Sequence, residues 1–252
     1  TETSAGLEQE ETEHDVDLIH ECVVKMAKEI SDFMDITPDK QRMDSLMVAA
    51  NIRNLSLLEL FYTCVSNLCK IMNERGTKIP DEQHHYIEKD DYNKCIYHKR
   101  DMDATERTIV VMKDADILIK ICDSTGDFDD TSEYQLLIRL LKEHTIIDDD
   151  GSRRLRQKEE VENPSEVLLN PSDPEATFRY KAGGKHLGYV GNIVESVGEN
   201  GSLIIDYDYQ PNTYADNQFM KDYLKRKKRF FRWFLFCCRW SIQWRKKLTF
   251  SI

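Results

Sequence analysis

Apolar residues recur at helical spacing through much of the first 150 positions and at alternating spacing near residues 188–209. Val16, Ile19, Val23, Met26, Ile30 and Phe33 follow one another at intervals of three and four, the stripe of an amphipathic helix expected to face a core. The same stripe also fits a coiled-coil seam, though one shorter than three heptads. Met43 to Ala50 is apolar apart from Asp44 and Ser45 and predicts a strand buried on both faces. Ser56 and Glu59 have the spacing of a capping box, in which each side chain satisfies a free backbone N–H of the first helical turn. Leu57, Leu60, Phe61, Val65, Leu68 and Met72 then share a face, and Gly76 is placed to stop the helix.

Further helices are expected over Glu82–Arg100, Ala104–Cys122 and Ser132–Ile147. The Asp-rich runs at 127–130 and 148–150 lack calcium-loop spacing and are expected to be solvated loops. His84, His85, Cys95 and His98 include one ligand-like spacing, Cys95 to His98, but no CxxC and no second pair, so they are read as ordinary helix residues. Asp148 to Pro171 is polar and reads as a linker or mobile loop. Gly188–Val197 and Ser202–Tyr209 are two strand-like runs around Gly198-Glu199-Asn200-Gly201, whose glycines and Asn suit a positive φ, so a β-hairpin is predicted. A helix follows, over Tyr214 to Lys225.

Two blocks of this pattern carry a family resemblance. The first is Met43-Asp44-Ser45-Leu46-Met47-Val48-Ala49-Ala50-Asn51 with Leu58-Glu59-Leu60-Phe61-Tyr62-Thr63. The second comprises Asn170-Pro171-Ser172-Asp173-Pro174-Glu175-Ala176-Thr177, Lys181-Ala182-Gly183, Gly188-Tyr189, Asn192-Ile193-Val194-Glu195 and Tyr209-Gln210-Pro211-Asn212-Thr213-Tyr214-Ala215-Asp216. In this order they resemble the catalytic domain of bacterial insertion-sequence DDE transposases, over roughly residues 38–223. The resemblance implies a ribonuclease H-like fold and Mg²⁺- or Mn²⁺-dependent cleavage and transfer of DNA strands. It also implies a partner DNA at the element ends, and self-association or pairing with an intact transposase. Asp44 would be the first catalytic, metal-binding aspartate, against the plainer reading of a carboxylate at the strand mouth that bonds local backbone. Arg179, Lys181, Lys185 and His186 bracket Gly183-Gly184 and are candidate DNA-backbone contacts, against the plainer reading of a flexible entry into the strand at Gly188.

Charge complicates that picture. The 252 residues carry a net −11, while the segment 221–252 holds 11 Lys and Arg against Asp222 alone, a net of +10 that leaves −21 elsewhere. An acidic body with a basic end is unusual for a protein that grips phosphates. The seven cysteines are odd in number and scattered, and no secretory leader is evident, which suits a reducing cytoplasm.

All three tryptophans lie in the basic end, within Phe230 to Trp244. This run is too short and too charged to span a bilayer, although its basic and aromatic mixture suits a membrane surface. Read one nucleotide later, every tryptophan codon becomes glycine, and an Arg codon ending in GA before TGG becomes aspartate. With permissible codons, Arg232 to Trp244 turns into Asp-Gly-Ser-Phe-Phe-Val-Ala-Asp-Gly-Ala-Tyr-Ser-Gly. Its end resembles the family's strand with the second catalytic aspartate.

The expectation is therefore a mixed α/β (α+β) chain: a partial ribonuclease H-like sheet with a large helical insertion. Its segments are an acidic tail and amphipathic helix (1–37), the first core strand (38–55), the helical insertion (56–162), the second part of the core (163–224) and a basic aromatic tail out of frame (225–252). Such a chain is expected to be an inactive remnant of a transposase. Other readings are a non-catalytic fragment binding DNA or a transposase, and a membrane-surface protein using the tail.

Overall fold

Ser56 opens the best-buried helix of the protein. Its hydroxyl accepts from the Glu59 N–H, and the Glu59 carboxylate accepts from the Ser56 N–H, so the predicted capping box is formed. The helix, α2 (Leu57–Glu74), ends before Gly76, whose φ of 72° lies in the left-handed region that glycine tolerates. Phe61, Val65, Leu68 and Met72 on α2 are fully buried, each burial contributing roughly 1.5–3 kcal/mol.

The computed structural model describes residues 17–36, 40–98, 102–181, 183–227 and 235–238. They form a mixed α and β structure that divides into two units. The larger comprises residues 49–189 and 211–213, the smaller the remaining segments.

In the larger unit, α2 packs against α4 (Ala104–Thr125) and α5 (Ser132–His144). Met112, Ala115 and Leu118 of α4 and Leu137 and Leu140 of α5 complete the core. The helix expected over Glu82–Arg100 is broken. A 3-10 turn at His84–Ile87 precedes a one-turn helix α3 (Asp91–Asn93) and a π turn at Lys94–His98. Polar anchoring explains the break: Ser66 donates to the Tyr86 carbonyl and Tyr62 to Asp91, holding this stretch against α2 at points a straight helix would not present together. The helix expected to reach Ile147 stops at His144, and Thr145–Ile147, a β-branched run, becomes strand β2 instead.

The stretch 148–171, expected to be a linker or mobile loop, is built into the larger unit. Strand β3 (Arg153–Leu155) pairs antiparallel with β2, Arg154 bridges Asp148 and Glu160, and Leu168 is buried in the helical core. Strand β4 (Thr177–Lys181) then pairs antiparallel with the start of β5 (Gly184–Gly198).

In the smaller unit, α1 (Leu18–Met34) precedes β1 (Lys40–Ala49). The second half of β5 turns into β6 (Gly201–Pro211), followed by α6 (Asp216–Arg226). β6 pairs with β5, and β1 lies on the other side of β5. β1 and β5 run antiparallel, since Arg42 meets Glu195 while Ser45 meets Asn192. β7 (Leu235–Cys238) pairs with β1 in parallel, Lys40 opposite Leu235 and Met43 opposite Cys238. Of the basic aromatic tail expected over 225–252, residues 228–234 and 239–252 lie outside the described residues, and Leu235–Cys238 satisfies the free edge of β1.

Strand β1 is not buried on both faces: Gln41 and Met43 are buried, whereas Lys40, Arg42 and Leu46 are exposed. One face packs under α6, where Met43, Val190, Val194, Phe219 and Tyr223 form the core. At the hairpin, only Gly201 takes a positive φ, 134°; Asn200 contributes its side chain, which donates to the Met34 carbonyl at 3.1 Å.

The stripe on α1 departs most from expectation. Phe33 is 91% and Ile19 72% exposed, and the buried residue of the helix is Ala27. The reason is polar: His20 bonds Asp206 at 2.8 Å, its ring stands edge-on to Tyr207, and Asp17 accepts from Tyr207, so the neighbouring face with His20 and Ala27 turns inward. Phe33→Ser is therefore expected to change unfolding free energy by no more than about 0.5 kcal/mol. Ala27→Leu should cost about 1–3 kcal/mol through overpacking. Urea denaturation of both variants reads the difference, and the reverse order would contradict this placement of α1.

Candidate functional site

Strand alternation decides what each candidate residue can do. On β1, Gln41, Met43 and Ser45 share one face and Arg42 and Asp44 the other. The inward face is tied to its neighbours: Tyr223 donates to Gln41 at 3.0 Å, and Asn192 Nδ2 donates to Ser45 Oγ at 2.9 Å and to the Asp44 carbonyl at 3.3 Å. Burial, and then the Asp206 charge, push the Tyr223 hydroxyl up to about 12, so it remains a donor. Asp44 is half-buried, with Oδ1 accepting from the Ser45 N–H at 3.0 Å. On its face, Arg42 is paired with Glu195. The Ser202 hydroxyl and Arg42 together hold the Glu195 carboxyl below its usual range, against the opposing effect of partial burial.

The neighbouring carboxylates that alternation places on β6 are engaged elsewhere. Asp206 is 1% exposed and meets His20, Lys227 Nζ at 3.1 Å and Arg226 at 3.6 Å. Asp208 pairs with Arg226 at 2.6 Å, so the two aspartates do share a face, but that face is filled by cations. Asp216 is exposed in the first turn of α6, where a carboxylate complements the helix dipole. Among the described residues, no group of three metal-capable side chains includes Asp44.

The four basic candidates belong to the larger unit and lie on a ladder rather than in a loop. Arg179 is opposite His186, Tyr180 opposite Lys185 and Lys181 opposite Gly184. Alternation therefore puts Arg179, Lys181 and His186 on one face and Lys185 on the other. The ammonium of Lys185 lies 4.2 Å from the Phe178 ring centre, a cation–π contact, and Phe178 meets Tyr180 edge-on. His186 Nε2 is 3.2 Å from the Lys181 carbonyl, and Arg179 Nη1 is shielded from water without a hydrogen-bond partner. An unsatisfied guanidinium nitrogen flanked by Lys181 suits an anion better than an apolar ligand.

A third group joins His85 and Cys95, expected to be ordinary helix residues, to Asp91, which the sequence did not single out. His85, Asp91 and Cys95 come together in the helical unit although their spacing follows no metal motif. On an uninterrupted helix His85 would point away from the other two, so only the broken winding reveals the group.

No protein-family model matches this chain, and no curated protein or solved structure proves similar to it. No helix among the described residues is long and apolar enough to cross a membrane.

The geometry makes Asn192 the clamp that holds β1 in register beside Asp44. Asn192→Ala removes a buried donor serving two acceptors and should lower stability by about 1–3 kcal/mol. Thermal or urea unfolding checks this; an unchanged midpoint would show that the clamp is dispensable.

Proposed function

We propose that this chain is a catalytically incomplete DDE transposase, with a ribonuclease H-like sheet that keeps the first metal-binding aspartate, Asp44. The reading rests on the two sequence blocks and is supported by the smaller unit. Its strands follow the order β6-β5-β1-β7, with the first three antiparallel and β7 parallel to β1. This is the arrangement expected of a ribonuclease H-like sheet, with α6 between β6 and β7.

One observation carries the proposal. Cys238 pairs with Met43, the residue before Asp44, and Arg239 is the residue after Cys238. Position 239 is where the next reading frame gives the aspartate of Val-Ala-Asp-Gly-Ala-Tyr-Ser-Gly. The register and the frame argument support the same reading, in which the residue after β7 occupies the place of the family's second carboxylate in the chain. In this chain that codon gives arginine, which offers no carboxylate.

The chemistry explains the loss. Two-metal phosphoryl transfer needs ions about 4 Å apart, one activating the attacking oxygen and the other stabilising the leaving one. Mg²⁺ demands near-octahedral oxygen ligation and sheds water reluctantly, so a single carboxylate does not hold the pair. DNA would meet the chain through backbone contacts, with Arg179, Lys181 and His186 on one face of the β4–β5 ladder and Lys185 on the other.

The purified chain should leave element-end DNA uncut with Mg²⁺ or Mn²⁺. A frame-restored version that also supplies the downstream residues should cleave it and lose that activity in Asp44→Ala. Cleavage by the 252-residue chain that disappears in Asp44→Ala would overturn the proposal.

A further inference from the structure

The helical unit holds chemistry that strand transfer does not use. His85 lies on the 3-10 turn, Asp91 on α3 and Cys95 on the π turn, and their ligand atoms all lie within 4.8 Å of one another. They converge on a single atom. Asp91 Oδ2 receives His85 Nδ1 at 2.8 Å, Cys95 Sγ at 3.4 Å and the Tyr62 hydroxyl at 2.6 Å.

Asp91 is only 6% exposed, and a buried carboxylate requires a counter-charge. Burial works to raise its pKa, but the Tyr62 and His85 hydrogen bonds outweigh that and keep it below the usual carboxylate range. Its ion pair is with His85, which is charged only when protonated. An anion thus lies in the interior with a conditional cation beside it, within reach of a nitrogen and a sulfur.

We propose that His85 Nδ1, Asp91 Oδ2 and Cys95 Sγ form a site for one zinc ion, with water in the fourth position. The donor set selects the metal. Thiolate and imidazole favour Zn²⁺, whereas Mg²⁺ and Ca²⁺ take oxygen ligands. Zinc bonds of about 2.0–2.3 Å in a tetrahedron put ligand atoms roughly 3.3–3.6 Å apart. The sulfur–oxygen separation already meets this, and the nitrogen–oxygen separation needs to open by a few tenths of an ångström. Binding replaces the thiol proton, which is released to solvent, and leaves the imidazole neutral with its proton on Nε2. Zinc, thiolate, carboxylate and neutral imidazole then sum to zero charge, which suits a buried site. Tyr62 keeps donating to the carboxylate and fixes its orientation. His85 and Cys95 are partly exposed, which gives the ion a route in.

The ion would act as a clasp. It closes the 3-10 turn, α3 and the π turn into one loop, and Tyr62 joins that loop to α2. This inference is independent of the transposase reading, since it uses neither Asp44 nor the β4–β5 ladder, has softer ligands and needs no DNA.

Metal binding to the full, chelator-treated and reduced chain tests it. Co²⁺ should bind with one-to-one stoichiometry, giving the visible bands of a tetrahedral site and a near-ultraviolet thiolate charge-transfer band, both displaced by Zn²⁺. Cys95→Ser keeps a donor to Asp91 and should fold, yet lose the charge-transfer band and bind at least about 100-fold more weakly. His85→Gln should weaken binding comparably, whereas Cys22→Ser, at an exposed thiol elsewhere, should change nothing. Zn²⁺ should raise the Tm of the unaltered chain and leave that of Cys95→Ser unmoved. The proposal fails if no charge-transfer band appears, or if Cys95→Ser and His85→Gln bind as tightly as the unaltered chain, which would place the metal on other side chains.

Discussion

A carboxylate removed from water must be paired, and in the smaller unit that carboxylate is Asp206. It draws His20 from α1 and Arg226 and Lys227 from the end of α6 to one point on β6. Removing one partner from such a buried cluster typically costs about 3–5 kcal/mol, because the charge left behind has no compensation. Lys227 and Arg226 keep part of their surface in water, which moves the expected cost to the lower end of that range. The cluster also dictates orientation. Once His20 faces Asp206 and Asp17 faces Tyr207, the heptad stripe of α1 has to point outward. The same cations occupy Asp206 and Asp208, so neither carboxylate is left open to a metal ion.

Local signals in the sequence were read well where the answer is local. The box at Ser56 and Glu59, the stop at Gly76 and the hairpin around Gly198 to Gly201 depend on residues a few positions apart. The face of α1 depended on Asp206, some 186 positions from His20, and amphipathicity alone does not say which side a partner will take. The stretch 148–171 looked like a linker because its polarity was visible and its pairing was not. Arg154 with Asp148 and Glu160 makes a clasp only after β2 and β3 have met.

The candidate site was readable in proportion to its dependence on strands. Asp44 was legible as a carboxylate in an otherwise apolar run, and the structure puts it on β1, half-buried and on the face away from α6. The basic residues were legible as a cluster but not as a ladder, so the separation of Lys185 from Arg179, Lys181 and His186 could not be anticipated. His85, Asp91 and Cys95 were hidden for a different reason. Their convergence requires a 3-10 turn and a π turn in succession, and neither has a spacing rule that side-chain identity reveals.

The central claim is that position 239, one residue past the β7 partner of Met43, belongs to an aspartate codon in another frame. The nucleotide sequence of the gene beyond codon 225, read in all three frames, tests it most directly. The account predicts Val-Ala-Asp-Gly-Ala-Tyr-Ser-Gly one nucleotide downstream of the present frame, its aspartate overlapping the Arg239 codon. An Arg239 codon that does not end in GA, or a stop within that stretch of the shifted frame, would contradict it.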